Sequence, residues 1–280
     1  MTAAEKPARF VAPQQWEPDI FLTNQLFSDL ASKFPLCEMT DFPDCRQLTL
    51  WLHQHTGLSD WCFVEQSLLE QDGRYYEDFI YETRQIPLRE RNWHDLFGAL
   101  IWCIFPATKR QINALHRAEL QAHGKKVRSK IRHKLTLLDE CGVLLCLTPQ
   151  QAQLASALRA HQWQQAFYEH RGAWSQLKPL IFGHANYEMA TRPFIGLTAK
   201  LWVLEITAEQ QQRFDTERYS FVDELLAKQL ANPDQLLNHQ QLSPLPLLGV
   251  PGWFAGQDLA FYQNTSYFRP KRQQTEQGVS

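Results

Sequence analysis

Asn92-Trp-His-Asp-Leu-Phe-Gly-Ala-Leu-Ile-Trp-Cys-Ile-Phe-Pro106, followed by Lys109, Asn113 and His116, is the stretch on which the reading of this chain turns. Asn92 suits an N-cap, and a carboxylate at Asp95 three positions on suits a capping box and the helix dipole. Pro106 ends or kinks that helix. A second runs from about Ala107 to His123, where Gly124 is a stop. His94 shares a face with Gly98, Ile101 and Phe105, and a small residue one turn away leaves room for a ligand. Lys109, Asn113 and His116 fall at i, i+4 and i+7, one polar stripe on the second helix. If that stripe faces His94 across the Pro106 bend, the groups converge; the plain alternatives are a core histidine and a solvated helix face.

Upstream, Pro18 to Phe34 and Asp44 to His55 carry apolar residues at helical spacing, predicting two amphipathic helices. Trp61 to Glu65 and Asp78 to Thr83 read as short strands around the turn-like Gln71-Asp72-Gly73. Downstream, Leu135 to Leu147 places two apolar runs around Asp-Glu-Cys-Gly142, a β-hairpin pattern with a helix through Leu138 as the competing reading. Helices are expected over Gln150 to His161, Trp163 to His170, from Leu180 to Met189 and over Thr207 to Leu230, with Phe214, Phe221, Leu225 and Leu226 inward. Ile195 to Ile206 reads as a strand. From Leu242 to Arg269 periodicity vanishes, and Ser-Pro-Leu-Pro-Leu-Leu-Gly-Val-Pro-Gly-Trp-Phe254 predicts an ordered, extended wrap. The expectation is a helix-rich α+β domain over 15–270 with a small antiparallel sheet, flanked by disordered tails at 1–14 and 271–280.

Hydrophobic residues make up 44% of the 280 and aromatics 12%, enough for a substantial core. The N-terminus is interrupted by Glu5, Lys6 and Arg9, unlike a secretory signal, so a cytoplasmic setting is expected. Leu96 to Thr108, the most apolar uncharged run, contains Pro106 and falls short of the about 20 residues a spanning helix needs. The six cysteines form no Cys-x-x-Cys pair and read as reduced, buried thiols.

Arg84-Gln-Ile-Pro87, Asn92-Trp-His-Asp-Leu-Phe97, Phe105-Pro106, Lys109, Asn113, Leu137-Leu-Asp-Glu-Cys-Gly142, Phe182-Gly-His-Ala185, Glu188, Gly196-Leu-Thr-Ala199 and Pro244-Leu-Pro-Leu-Leu-Gly-Val-Pro-Gly-Trp253 together resemble a proteobacterial family known as domain of unknown function 3025. The resemblance spans roughly Leu26 to Pro270. It implies a bacterial, single-domain protein and supplies no catalytic residues.

The chemistry therefore rests on the residues. His184 and Glu188 would share a helix face at i and i+4, a spacing that chelates a metal ion or forms a helical hydrogen-bonded pair. Adding His94 or His116 and a carboxylate from Asp139 or Glu140 completes a His/carboxylate set able to bind zinc, manganese or iron for hydrolysis. His94-Asp95 also has a thin likeness to HD-type phosphohydrolases, although capping already explains Asp95. Arg84, Arg89 and Arg91 cluster just before His94, where guanidinium groups can grip a carboxylate or phosphate or pair with local acids. No glycine-rich phosphate loop, Gly-x-Ser-x-Gly elbow, His-Glu-x-x-His or dinucleotide fingerprint occurs.

A different class of function is suggested by Gly124 to Lys134, where Lys125, Lys126, Arg128, Lys130, Arg132 and Lys134 form a basic island on a chain of net charge −2. A solvated basic helix is the plainer reading, given the acidic balance and the absence of a helix-turn-helix or RNA-recognition signature. The leading expectation is a hydrolase, with or without a metal ion, for a small anionic substrate. In it His94, His116, Asp139 and Lys109 are the catalytic candidates, His184, Glu188 and His94 the metal candidates, and Arg84, Asn113, Arg91 and Tyr187 the substrate candidates. The rival is a non-catalytic protein that binds nucleic acid or another polyanion through the basic stretch. Convergence of His94, His116 and His184 within about 8 Å discriminates the two, because catalytic groups must meet at one reacting centre.

Overall fold

The computed structural model describes residues 10–271. Most of both expected tails, 1–9 and 272–280, lies outside the described residues. Residues 10–14 are irregular, but Phe10 brings its ring to 6.4 Å from that of Phe194.

The first expected helix is divided into α1 (Asp19–Thr23), a 3-10 turn and α2 (Ser28–Lys33). Asn24 causes the break: it is extended, its side chain accepts from Leu26 N, and its Nδ2 donates to Ala190 O far along the chain. Next come α3 (Cys45–Thr56), capped by Asp44, β1 (Cys62–Glu65) and α4 (Gln66–Asp72). The expected strand at Asp78–Thr83 is instead α5 (Tyr76–Thr83). Its buried residues, Phe79 and Ile80, are adjacent and so cannot alternate across a sheet, and one turn later Thr83 Oγ1 bonds back to Phe79 O. Arg84 ends α5 in the left-handed conformation, and β2 (Gln85–Leu88) pairs with β1 in parallel.

The central helices follow the sequence closely. In α6 (Trp93–Ile104) Asn92 accepts from Asp95 N, and α7 (Pro106–His123) starts with its proline in the first turn. Phe105 has no side chain to cap α7, so its amides are satisfied from α12 (Ala208–Leu230, introduced here for its Asp223). Ala107 N and Thr108 N donate to Asp223 at 2.9 and 2.7 Å.

The expected hairpin at 135–147 is replaced by α8 (Lys130–Cys141) running directly into β3 (Gly142–Leu147). The first apolar run is a helical stripe, with Leu135 and Leu138 buried, whereas every residue of β3 is buried. Asp139 and Glu140 therefore sit on the last turn of a helix and not in a loop. After α9 (Ala152–Arg159), a π-helical turn at 164–169 and α10 (Arg171–Leu177), the expected helix from Leu180 is delayed. Leu180–Ile181 forms β4, antiparallel to β3, and α11 (His184–Ala190) begins after Gly183.

β5 (Thr198–Glu205) pairs in parallel with β3, and beyond α12 and α13 (Asp234–Leu237), β6 (Ser243–Pro246) adds antiparallel to β5. The sheet, ordered β4-β3-β5-β6, is thus mixed and not antiparallel as expected. Pro244 and Pro246 are tolerated because β6 is an edge strand. The C-terminal wrap, including α14 (Leu259–Tyr262), is ordered as anticipated: Tyr267 Oη donates to Leu197 O and accepts from Leu248 N, while Gln257 Nε2 donates to Leu248 O and Val250 O. One continuous hydrophobic core joins helices, sheet and wrap, making a single helix-rich α+β domain. All six cysteines are free, Cys103 and Cys146 fully buried, and no described helix is long and apolar enough to cross a membrane.

Candidate functional site

Three helices bring the ionisable groups together. The start of α6 supplies His94, the end of α8 supplies Asp139 and Glu140, and the start of α11 supplies His184 and Glu188. Two glycines permit the approach of α11 to α8. Phe182 N and Gly183 N both donate to Gly142 O, at 3.0 and 2.8 Å. A Cβ on Gly183 would lie 2.5 Å from Cys141 N and Glu140 O, so only glycine fits there although its φ is an ordinary −70°. The gap expected above Gly98 is filled by the His184 ring, 3.8 Å from where a Cβ on Gly98 would be.

His94 Nε2 and His184 Nε2 are 3.1 Å apart, with Glu140 Oε2 3.7 Å from the first and 3.4 Å from the second. A cation with bonds of about 2.1 Å holds its ligand atoms roughly 3.0 Å apart in octahedral and 3.4 Å apart in tetrahedral geometry, so the trio has metal-site dimensions. His94 Nδ1 donates to Glu188 Oε2 at 3.0 Å, which turns Nε2 towards the trio. His184 Nδ1 is buried without a regular hydrogen bond, the Asp139 backbone adjoining the ring. Burial pushes the His184 pKa down to about 4, leaving the ring neutral near pH 7. Burial also tends to lower the His94 pKa, but the Glu188 hydrogen bond and the charges of Glu140 and Glu188 outweigh it and raise the value. Burial raises that of Glu140.

A pocket of about 660 Å³ opens over this trio, and its wall includes Lys109, Asn113 and His116. The Lys109, Asn113 and His116 stripe thus shares one pocket with His94 across the Pro106 bend. His94 and His184 have ring centroids 4.4 Å apart, and His116 lines the same pocket outside the three-atom cluster. Burial drives the His116 pKa down to about 4. Lys109 Nζ, almost fully buried, donates to Asp139 Oδ1 at 2.6 Å. Burial alone would raise the Asp139 pKa, but the Lys109 ammonium, with His184 and His116, brings it below the usual carboxylate value. Asn113 Nδ2 donates to Glu77 Oε2 at 2.6 Å and to Glu77 O at 3.0 Å, and enclosure pushes the Glu77 carboxyl up to about 7.

Three of the substrate candidates stand apart from the pocket. The Arg84 guanidinium pairs with Asp60 and that of Arg91 with Asp41, each about half exposed, because acids on neighbouring loops lie closer than the pocket does. Tyr187 is buried in the core, its ring 5.7 Å from Phe27 and 5.5 Å from Phe97. Glu188 lies behind His94 and not among the three converging atoms; Glu140 takes that place. Asp95 is structural: Arg89 donates to it from N, Nε and Nη2. Of the basic stretch, Lys125, Lys126, Arg128 and Lys130 are exposed and Lys134 half-buried, while Arg132 is buried and turns into the pocket. Sequence reasoning missed Glu77, and although it named Arg132, Asp139 and Glu140 it did not set them with Thr136 on one inward face of α8, where they recur at i, i+4, i+7 and i+8.

A larger cavity of about 1170 Å³ lies beyond the C-terminal ends of β3 and β5. It has no histidine or cysteine in its wall, and its Glu205 is spent on Arg159, so the smaller, polar pocket is where chemistry is concentrated.

No curated protein and no solved structure matches the chain. All the pocket residues named above fall within the segment that a family match covers. The chain belongs to the family described as protein of unknown function (DUF3025), which it matches over residues 61–272.

Proposed function

We propose that this protein is a metal-dependent hydrolase acting on a small anionic substrate, with His94, His184 and Glu140 as the ligands of one divalent cation. The observation that carries the proposal is the approach of three electron-rich atoms, Nε2, Nε2 and Oε2, to 3.1–3.7 Å. At that spacing they repel unless a proton or a cation lies among them. The donor set of two imidazoles and a carboxylate suits zinc, iron or manganese, and a cation there supplies Lewis-acid chemistry. Glu188 orients His94, as outer-shell carboxylates do for ligating imidazoles. Glu77, titrating near 7 in the same pocket, is suited to accept or deliver a proton at neutral pH. The Lys109–Asp139 pair adds a buried cation for an anionic substrate, with Asn113 holding Glu77 in place. We read the setting as a reducing bacterial cytoplasm, which the six free thiols support.

The test is hydrolysis of a panel of chromogenic phosphomonoesters, phosphodiesters and amides by protein reconstituted with zinc, manganese or iron(II). Activity that chelator abolishes and that His184→Ala lacks is the expected result. Inactivity of every metal form across the panel would count against hydrolysis.

A second reading, a nucleic-acid or polyanion binder, is favoured by the exposure of Lys125, Lys126, Arg128 and Lys130 in one run. Salt-dependent binding of an oligonucleotide that disappears when these four are neutralised would support it.

A further inference from the structure

Arg132 is a buried guanidinium, 8% exposed, on the first turn of α8. Its Nη1 donates to Val127 O and its Nη2 to Tyr75 Oη, both neutral acceptors, while its Nε is buried with no partner. Among the described residues no carboxylate forms an ion pair with it, although Arg117, Arg89 and Lys109 close by are each paired with one. An arginine cannot shed its proton, and a buried charge without a counter-charge is strongly unfavourable. The acids of the pocket make their contacts elsewhere: Asp139 with Lys109, Asp95 with Arg89, Glu140 with the histidine trio, and Glu77 with the neutral Asn113, so that Glu77 feels the Arg132 charge only across space. The pocket rim next to Arg132 adds two exposed cations, Arg128 and Lys125, the latter with its ammonium 5.6 Å from the Tyr75 ring centroid. What this end of the pocket lacks is an anion in contact with Arg132.

We infer that Arg132, with Arg128 and Lys125, seats a phosphate group of the substrate, remote from the bond that is cut. Three cations and a phenol favour a compact dianion over a single carboxylate. Arg132 and Glu140 are eight residues apart on one helix, about 12 Å along its axis. The phosphate seat and the histidine trio therefore occupy opposite ends of one pocket, and the substrate is a phosphorylated small molecule long enough to reach both. The word substrate rests on the hydrolase reading above; the phosphate seat does not.

Binding of inorganic phosphate to metal-free protein in chelator, followed by calorimetry and by the rise in melting temperature, tests the assignment. Arg132→Gln is expected to weaken phosphate binding about 10- to 100-fold, as expected for losing a charge-assisted contact, and Arg128→Ala with Lys125→Ala to weaken it several-fold more steeply at low salt. His184→Ala should leave phosphate affinity within about twofold, which separates this seat from the metal site. Should Arg132→Gln fail to fold, Arg132→Lys, which keeps the charge but not the fork, is expected to bind more weakly than wild type. The inference is overturned if phosphate neither binds nor raises the melting temperature of the wild type. It is likewise overturned if folded Arg132 variants bind as the wild type does, or if only the rim substitutions matter, which would assign the anion to the surface.

Discussion

Replacing Gly183 by alanine tests how the site is held together. The new methyl carbon would sit 2.5 Å from Cys141 N and Glu140 O, whereas ordinary contact begins at 3.4 Å. Backbone atoms cannot rotate out of the way, so α11 and the end of α8 must part by about 0.9 Å. Overpacking of this kind costs about 1–3 kcal/mol, and the upper end applies because the pressed atoms are main chain. In a domain of this size that is a fall of roughly 6–12 °C in melting temperature. The same movement carries His184 away from Glu140, now 3.4 Å apart, while metal–ligand distances tolerate only about 0.2 Å. Zinc affinity should therefore fall at least about 10-fold, as for loss of a supporting contact. Gly172→Ala is the control, since a Cβ there meets nothing within 4 Å. The assay is thermal melting together with competitive zinc titration against a chromophoric chelator. A Gly183→Ala protein that melts within 2 °C of wild type and binds zinc equally well would refute the reasoning.

Three further outcomes are expected. Glu188→Gln should weaken metal binding about 10- to 100-fold without unfolding the protein, because His94 loses its orienting carboxylate; equal affinity in a titration would remove that role. Glu77 has its folded pKa raised from 4.5 to about 7, so its contribution to stability is fully present below about 4.5 and is lost as pH rises through 7. Denaturant melts should accordingly show Glu77→Gln gaining on wild type between pH 5 and 8, by at most about 3 kcal/mol, and a pH-independent difference would contradict the shift. Asp223→Ala leaves Ala107 N and Thr108 N at the buried start of α7 without acceptors, a loss of about 2–3 kcal/mol that urea unfolding would register.

The fold was legible where local chemistry acts alone. Asn92 capping Asp95, Pro106 opening the next helix and Gly124 closing it all depend on neighbours in sequence, and the Pro106 bend duly brings Lys109, Asn113 and His116 to the wall that holds His94. Legibility failed where distant residues decide. Phe79-Ile80 has the composition of a strand, yet it folds as a helix because it packs on α7. Leu135 to Leu147 contains the end of one helix and the whole of a strand buried on both faces, a junction that short apolar runs cannot distinguish from a hairpin. That one misreading hid the α8 face carrying Arg132, Thr136, Asp139 and Glu140. Reading the helix through Cys141 would have lined them up. The displacement of Glu188 by Glu140 as the third converging atom follows from the Gly142–Gly183 approach, which no local pattern announces. The pairing of Arg84 with Asp60 and of Arg91 with Asp41 is likewise set by loops far apart in sequence.

The most direct test of the central claim is the metal content of untagged protein, measured by elemental analysis alongside His184→Ala and Glu140→Ala. The account predicts close to one zinc, iron or manganese per chain in the wild type, taken up on incubation if lost in purification, and little in either variant. A wild type that takes up no metal, or variants that hold as much as it does, would contradict it.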